Sequence, residues 1–322
     1  MPASRRQFIR TGLGLGLAAS ASLPLVAGCA APAARTPVTS SIAPGAFRTR
    51  VGAATVTAVS DGWASVPLAD GFVRNATLPQ VQQALREAGL PTDQITIPFT
   101  AFVVEHDGRR VLMDAGNGQF GAPTAGQLPA NLRIAGIDPR SIDTVLISHF
   151  HGDHINGLRD RDGALAFPDA QLIAPAPEWD FWTDDARRAA APGAPGGDAV
   201  RRVFGPIAAS VVRFQPGGEL VAGIRSIPAY GHTPGHTAFS IASRGQTFAY
   251  LGDLTSIAAL SVRHPDWAVR FDMDAEAARQ SRRRLLDAAV AGDWIVGGYH
   301  LPAPGLGRIV RSGSGYDFVP LA

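Results

Sequence analysis

From about Phe47 onward the chain alternates between short apolar or β-branched runs and turn-forming residues, with helical stretches between them. Thr55-Val56-Thr57-Ala58-Val59, Phe102-Val103-Val104-Glu105 and Arg109-Arg110-Val111-Leu112-Met113 read as strands, the last two joined through His106-Asp107-Gly108 as a hairpin. Leu78 to Ala88 has Thr77 and Pro79 at its start and Gly89 at its end, the asymmetry of a capped helix. Thr144-Val145-Leu146-Ile147 is apolar at every position and predicts a buried strand. The second half repeats the scheme: strands at Ile224-Arg225-Ser226-Ile227, Ala238-Phe239-Ser240-Ile241 and Thr247-Phe248-Ala249-Tyr250-Leu251, a long helix from Ala275 to Ala291, and a short strand at Trp294-Ile295-Val296. Two successive sheet-plus-helix halves predict an α/β chain of the α+β type, with sheets packed together and helices outside. Residues 184–198, rich in Ala, Pro and Gly, interrupt the middle as an exposed insertion.

The first residues follow a different pattern. Arg5-Arg6 ahead of Phe8, then an uncharged Gly/Ala/Leu stretch from Thr11 to Ala27, make the charged head and apolar middle of an export signal and resemble the twin-arginine type. Val26-Ala27-Gly28-Cys29 resembles a bacterial lipobox, which makes Cys29 a lipid attachment point. Residues 1–28 are therefore expected to be a signal, 29–46 a flexible tether and 47–322 a single domain, in an exported protein that is periplasmic or anchored to the membrane through Cys29. Cys29 is the only cysteine, so no intramolecular disulfide forms.

Charge changes meaning once the leader is set aside. The whole chain has 29 basic residues, all of them arginine, against 27 acidic ones, for a net charge of +2. Without Arg5, Arg6 and Arg10 the remainder has 26 against 27 and is close to neutral, which argues against a nucleic-acid partner. With 46% hydrophobic and 17% charged residues, the composition is globular.

The strongest chemical signal follows the buried strand ending at Ile147: His149-Phe150-His151-Gly152-Asp153-His154. Three imidazoles and a carboxylate within six residues are borderline and hard metal donors. Residues two apart on extended backbone point the same way, so His149 and His151 can grip one ion, while Asp153 and His154 begin a helix and face a second. Further donors stand after short apolar strands: His236 in Gly231-His232-Thr233-Pro234-Gly235-His236, Asp253 in Leu251-Gly252-Asp253, and His300 in Gly298-Tyr299-His300.

This ordered set, with Asp114 at an earlier strand end, resembles the metallo-β-lactamase superfamily. The resemblance implies an αββα sandwich with two divalent ions between the sheets, Zn first, with Mn, Co and Fe as alternatives. It implies that His149, His151 and His236 hold one ion, that Asp153, His154 and His300 hold the other, and that Asp253 bridges both. His232 matches a non-ligand position, and it and Asp114 are then expected to support ligands by hydrogen bonding. Ser60-Asp61-Gly62, Gly118-Gln119-Phe120-Gly121, Asp180-Phe181-Trp182 and the tail from His300-Leu301-Pro302 to Gly315-Tyr316-Asp317-Phe318-Val319-Pro320 further resemble the methyl parathion hydrolase branch. Members of that branch hydrolyse organophosphates, aryl esters or lactones, and the likeness implies that Phe120, Trp182 and Phe204 line a leaving-group pocket.

The expected activity is that of an exported dinuclear metal-dependent hydrolase, using a metal-bridging hydroxide on lactones or aryl esters first and organophosphate triesters second. Asp253, by fixing the metal spacing, and Asp153, by orienting the nucleophile, are the expected catalytic residues. No residue of the motifs is placed to protonate the leaving group. A β-lactamase-type hydrolase and a mononuclear-iron sulfur dioxygenase are the alternatives on this fold. The carboxylate at Asp253 speaks against the first and the full set of seven ligand positions against the second. The expected partner is a small ester, lactone or phosphotriester; the oligomeric state is left open, a homodimer included.

Overall fold

The computed structural model describes residues 40–43, 45–189 and 197–322. The leader, Cys29 and residues 190–196 of the expected insertion lie outside the described residues. Among the described residues, fourteen strands build two sheets. The first contains β1 (Ser40–Ala43), β2 (Ala46–Val51), β3 (Ala54–Pro67), β4 (Gln94–His106), β5 (Arg109–Met113), β6 (Thr144–Leu146), β7 (Gln171–Pro175) and β8 (Val212–Phe214), in that spatial order. The second contains β9 (Ile224–Pro228), β10 (Thr237–Ser243), β11 (Gln246–Tyr250), β12 (Ile295–Gly297), β13 (Leu306–Ser312) and β14 (Gly315–Pro320), ordered β14-β13-β12-β11-β10-β9. Both sheets are mixed: β5 to β8 run parallel, as do β11 and β12, and the remaining pairs are antiparallel.

Alternation along the strands explains why the sheets stack. On β10 and β11, Phe239, Ile241, Phe248 and Tyr250 face the interior between the sheets, where Phe102 of β4 meets Phe248 and Tyr250 at ring separations of 5.7 and 5.3 Å. Their neighbours Ala238, Ala249 and Leu251 face the other way and pack against Leu285, Leu286 and Ala289 of the helix Ala275–Ala291. That helix starts where expected, with the Asp274 carboxylate accepting from the N–H groups of Glu276 and Ala277. The result is the expected sandwich of helix, sheet, sheet and helix.

Two boundaries differ from expectation. Ser40–Ala43, expected within the tether, pairs with β2 as an edge strand, so the folded part starts before Phe47. The expected insertion is partly helical, with Asp185–Ala189 and Gly197–Phe204 on either side of residues 190–196. Among the described residues no helix is long and apolar enough to cross a membrane.

One buried carboxylate ties a long loop to the first sheet. Asp61, fully buried in β3, accepts hydrogen bonds from Asn117 N (2.7 Å), Asn117 Nδ2 (3.0 Å) and Leu128 N (2.8 Å), clasping both ends of the segment that carries Phe120. Burial pushes its pKa up even so. Gly62 follows at φ +99°, where a Cβ would lie 1.9 Å from the Thr124 carbonyl oxygen, so only glycine lets the loop close on the strand. Replacing Asp61 by Ala strands these buried donors and is expected to lower stability by about 3 kcal/mol. Urea and thermal unfolding measure this; an unchanged midpoint would contradict the clasp.

Candidate metal centre

The parallel strands deliver their C-terminal ends to one edge of the sandwich. Asp114 follows β5, Ser148 and His149 follow β6, Asp253 follows β11 and His300 follows β12, while the β9–β10 turn adds His232 and His236. Thr237 N–H donates to the Ser148 carbonyl at 3.0 Å, and Thr100 N–H to the Tyr299 carbonyl at 2.9 Å, so backbone bonds lock the edges of the two sheets together around these residues.

Two side-chain groups form there. His149, His151, His232 and Asp253 make the first, and Asp153, His154, Asp253 and His300 the second. In the first, His151 Nδ1 lies 3.1 Å from His149 Nε2 and 3.0 Å from His232 Nε2, and His232 Nε2 lies 3.2 Å from Asp253 Oδ2. In the second, His154 Nε2 is 3.1 Å from Asp253 Oδ1 and 3.5 Å from Asp153 Oδ2, and His300 Nε2 is 3.0 Å from Asp253 Oδ2 and 3.4 Å from Asp153 Oδ2. A tetrahedral ion with bonds of about 2.0–2.1 Å holds its donors about 3.3 Å apart, so these separations fit divalent cations. Asp253 is the one residue common to both groups.

The chemistry of the donors points the same way. His154 Nε2 and Asp253 Oδ1 face each other and are buried without a hydrogen-bond partner. Burial and the surrounding imidazoles drive His149 and His151 well below the usual histidine range. Burial also opposes charge on His154, His232 and His300, but the carboxylates of Asp253, Asp153, Asp114 and Asp272 outweigh it; His232 is pushed up to about 9. Asp253 is held well below the carboxylate range, its burial overcome by His300, His154, His149 and His232. Such a cluster competes internally for protons, and a divalent cation is the charge that satisfies all of it at once.

The β9–β10 turn holds both histidines of its six-residue motif close to Asp253, His232 at the carboxylate and His236 at the backbone N–H. His232, expected as a supporting residue, stands in the first group, whereas His236, expected as a ligand, does not. Both nitrogens of His236 are engaged by backbone: Nδ1 lies 2.9 Å from the Ala229 carbonyl, and Nε2 accepts the Asp253 N–H at 2.9 Å. His236 therefore fixes the backbone that presents Asp253. Gly252, at φ +53°, makes room for this contact, since a Cβ there would lie 2.6 Å from His236 Nε2. Burial, with His232 next to it, brings His236 down to about 4, consistent with a neutral ring.

Fully buried carboxylates support the donors from behind. Asp114 accepts from Ser148 N (2.7 Å), Ser148 Oγ (2.6 Å), His154 Nδ1 (2.7 Å) and the Tyr250 hydroxyl. Its φ of +61° is strained for a non-glycine residue. Asp272, missed in the sequence, lies 3.2 Å from His232 Nδ1 and accepts from Arg282 Nη2 at 2.8 Å. Arg282, also buried, donates in addition to the carbonyls of Leu254, Pro265 and Trp267. The missed signal was Arg282 itself, which occupies a core position of the Ala275–Ala291 helix between Ala278 and Leu285. Glu178 was missed too; it accepts from Phe150 N (3.0 Å), Gly235 N (2.6 Å) and Trp182 Nε1 (2.6 Å), joining the two histidine motifs, and burial raises its pKa.

The three aromatic residues expected in a pocket separate. Phe204 is buried and stacks on Phe150 at 4.6 Å, so it belongs to the core. Trp182 is buried as well, with its ring 6.0 Å from His151 and its N–H on Glu178, and it backs a donor. Phe120 alone, half-buried, lines a cavity, of about 630 Å³, shared with Asn156 and Arg202.

Ribonuclease Z of Clostridium kluyveri is 41% identical over 60 residues, 19% of this chain and 17% of that protein. Ribonuclease Z of Pyrococcus abyssi is 37% identical over 68 residues, 21% of this chain and 19% of that protein. The matched segment thus spans less than a fifth of either enzyme. The solved structure of AidC, a dizinc quorum-quenching lactonase in complex with a product, is similar at 25% identity and a TM-score of 0.81, covering 86% of this chain and 98% of that one. Hydrolase AbOPH, in the beta lactamase superfamily, shares the fold at 23% identity and a TM-score of 0.80, with the same coverage. The profile of the metallo-beta-lactamase superfamily matches residues 99–310, about two thirds of the chain and every donor of the two groups, and the chain belongs to that superfamily.

Proposed function

We propose that the protein is an exported, dinuclear metal-dependent hydrolase of lactones and aryl esters, with phosphotriesters as secondary substrates. The observation that carries this reading is the pair of His/Asp groups sharing Asp253, with donor separations suited to divalent ions in both. Likeness to a dizinc lactonase over 98% of that chain supports the substrate class. His149, His151, His232 and Asp253 would hold one ion, and Asp153, His154, His300 and Asp253 the other, most simply Zn. Bound there, the ions would lower the pKa of water and polarise a carbonyl or phosphoryl oxygen. Export rests on Arg5-Arg6 and Val26-Ala27-Gly28-Cys29, and the near-neutral remainder of the chain speaks against RNA as substrate despite the short match to ribonuclease Z.

The chain's own residues divide the remaining work. Asp253 sets the spacing of the two groups, held by the His236 ring at its N–H and by His300 at Oδ2. Asp153 has the most open side chain of the cluster, 24% exposed against 8% or less for the others, and this openness supports a role in orienting the nucleophile. The two nearby phenols are committed elsewhere: Tyr250 donates to Asp114, and Tyr299 donates to the Asp153 carbonyl at 2.6 Å. Neither can protonate a departing group, so leaving groups that depart as stable anions are favoured.

Metal content separates the two histidines of the turn. His232→Ala is expected to drop the bound metal from about two ions to about one per chain and to cost about 100-fold or more in kcat/KM. His236→Gln, which keeps an acceptor for the Asp253 N–H, is expected to retain both ions. Elemental analysis of the purified variants decides this, and the reverse pattern would return His236 to the ligand set.

Substrate class is tested with a panel of a δ-lactone, an acyl-homoserine lactone, a series of aryl esters of graded phenol pKa, a phosphotriester and a β-lactam. Lactones or aryl esters are expected to lead, rates to rise as phenol pKa falls, and chelation to abolish turnover. Dominant β-lactam turnover, or aryl-ester rates insensitive to phenol pKa, would overturn the reading.

A further inference from the structure

We propose that Arg202 makes this site select substrates bearing a carboxylate on the acyl or leaving group, by holding a guanidinium ready in the cavity beside the Gly152–Ile155 helix. The inference rests on the hydrolase reading and names a substrate class for the same site.

The cavity has three arginines on its wall, and they are not equivalent. Arg188 and Arg201 share the Asp185 carboxylate, at 2.5 and 3.2 Å, and Arg201 also meets Asp198 at 2.6 Å. Arg202 is held by neutral groups instead: its guanidinium carbon lies 3.9 Å from the centre of the Phe120 ring, and Nη2 donates to Asn156 Oδ1. Among the described residues no carboxylate pairs with it, and residues 1–39, 44 and 190–196 contain neither Asp nor Glu. A guanidinium stays protonated throughout the working pH range, so this exposed positive charge, held by Phe120 and Asn156, has no side-chain carboxylate partner among the described residues. Its remaining N–H donors form a planar fork suited to a carboxylate.

The position relative to the chemistry is what gives this charge a role. Asn156, which holds Arg202, caps the Gly152–Ile155 helix that carries Asp153 and His154. The Gly197–Phe204 helix, which carries Arg202, packs against that same short helix. The turn bearing Phe120 is bonded to it as well, Ala115 N–H donating to the His154 carbonyl and Gly157 N–H to the Gly116 carbonyl, both at 2.8 Å. A volume of about 630 Å³ accommodates a substituted aryl group or an acyl chain. Because Phe120 and Asn156 already restrict the side chain, little rotamer freedom is lost when an anion binds.

The test compares 3-acetoxybenzoate with its methyl ester, which differ in charge at nearly constant shape, in wild type, R202Q and R202K. After correction for their rates of base hydrolysis, the wild type is expected to prefer the carboxylate by about tenfold in kcat/KM, the scale of one charge-assisted pair in a partly solvated site. R202Q is expected to bring the ratio near one, R202K to keep part of it, and added salt to shrink it in the wild type. A wild-type ratio near one, or the same ratio in R202Q, would overturn the proposal. Calorimetric binding of the product 3-hydroxybenzoate to wild type and R202Q separates this from the hydrolase reading. If neither ester turns over and binding still depends on Arg202, the hydrolase reading fails and the anion site stands; equal binding to both proteins counts against the anion site itself.

Discussion

The carboxylate of Asp253 is the interaction on which the rest of the site depends. One oxygen faces His154 and the other faces His232 and His300, so two groups of donors that arrive from different strands meet at a single side chain. Nothing local to Leu251-Gly252-Asp253 could hold it there. Its N–H is gripped by the His236 ring, and the glycine before it leaves the space that ring needs. The edge of the second sheet thereby becomes complementary to the histidines on the edge of the first.

Burying so many ionisable groups is costly unless each is paired, and the surrounding structure is organised around that cost. Asp114 gathers Ser148, His154 and Tyr250, Asp272 joins His232 to Arg282, and Glu178 ties the Phe150 and Gly235 backbones together. Each supporting carboxylate reaches a different stretch of the donor-bearing chain, which fixes the orientation of the side chains it holds. Asp153 is the exception, left partly open to solvent. The cluster therefore has a rigid, buried side that positions the donors and one side, at Asp153, that faces solvent.

Much of this was legible in the sequence where the signal is local. The β4–β5 hairpin follows from apolar runs around His106-Asp107-Gly108, and the helix Leu78–Glu87 from Thr77, Pro79 and Gly89. The cluster His149 to His154 declares itself by spacing. The different contacts of His232 and His236 were not legible, because both stand in one motif and the partners of each are distant in sequence: Asp272 for the first, the Asp253 N–H for the second. The same holds for Trp182 and Phe204, whose aromatic character fits a pocket or a core equally well until Glu178 and Phe150 claim them. Ser40–Ala43 was hidden for a different reason: one β-branched residue, Ile42, among two serines and an alanine is a weak strand signal, and pairing with β2 supplies the order.

Anomalous X-ray diffraction from crystals of the purified protein, collected at the absorption edge of its bound metal, bears most directly on the shared carboxylate. Two peaks about 3.5–4 Å apart, with Asp253 between them and the His232 ring, not that of His236, on one of them, are the predicted result. A single peak, or a pair that Asp253 does not join, would contradict it.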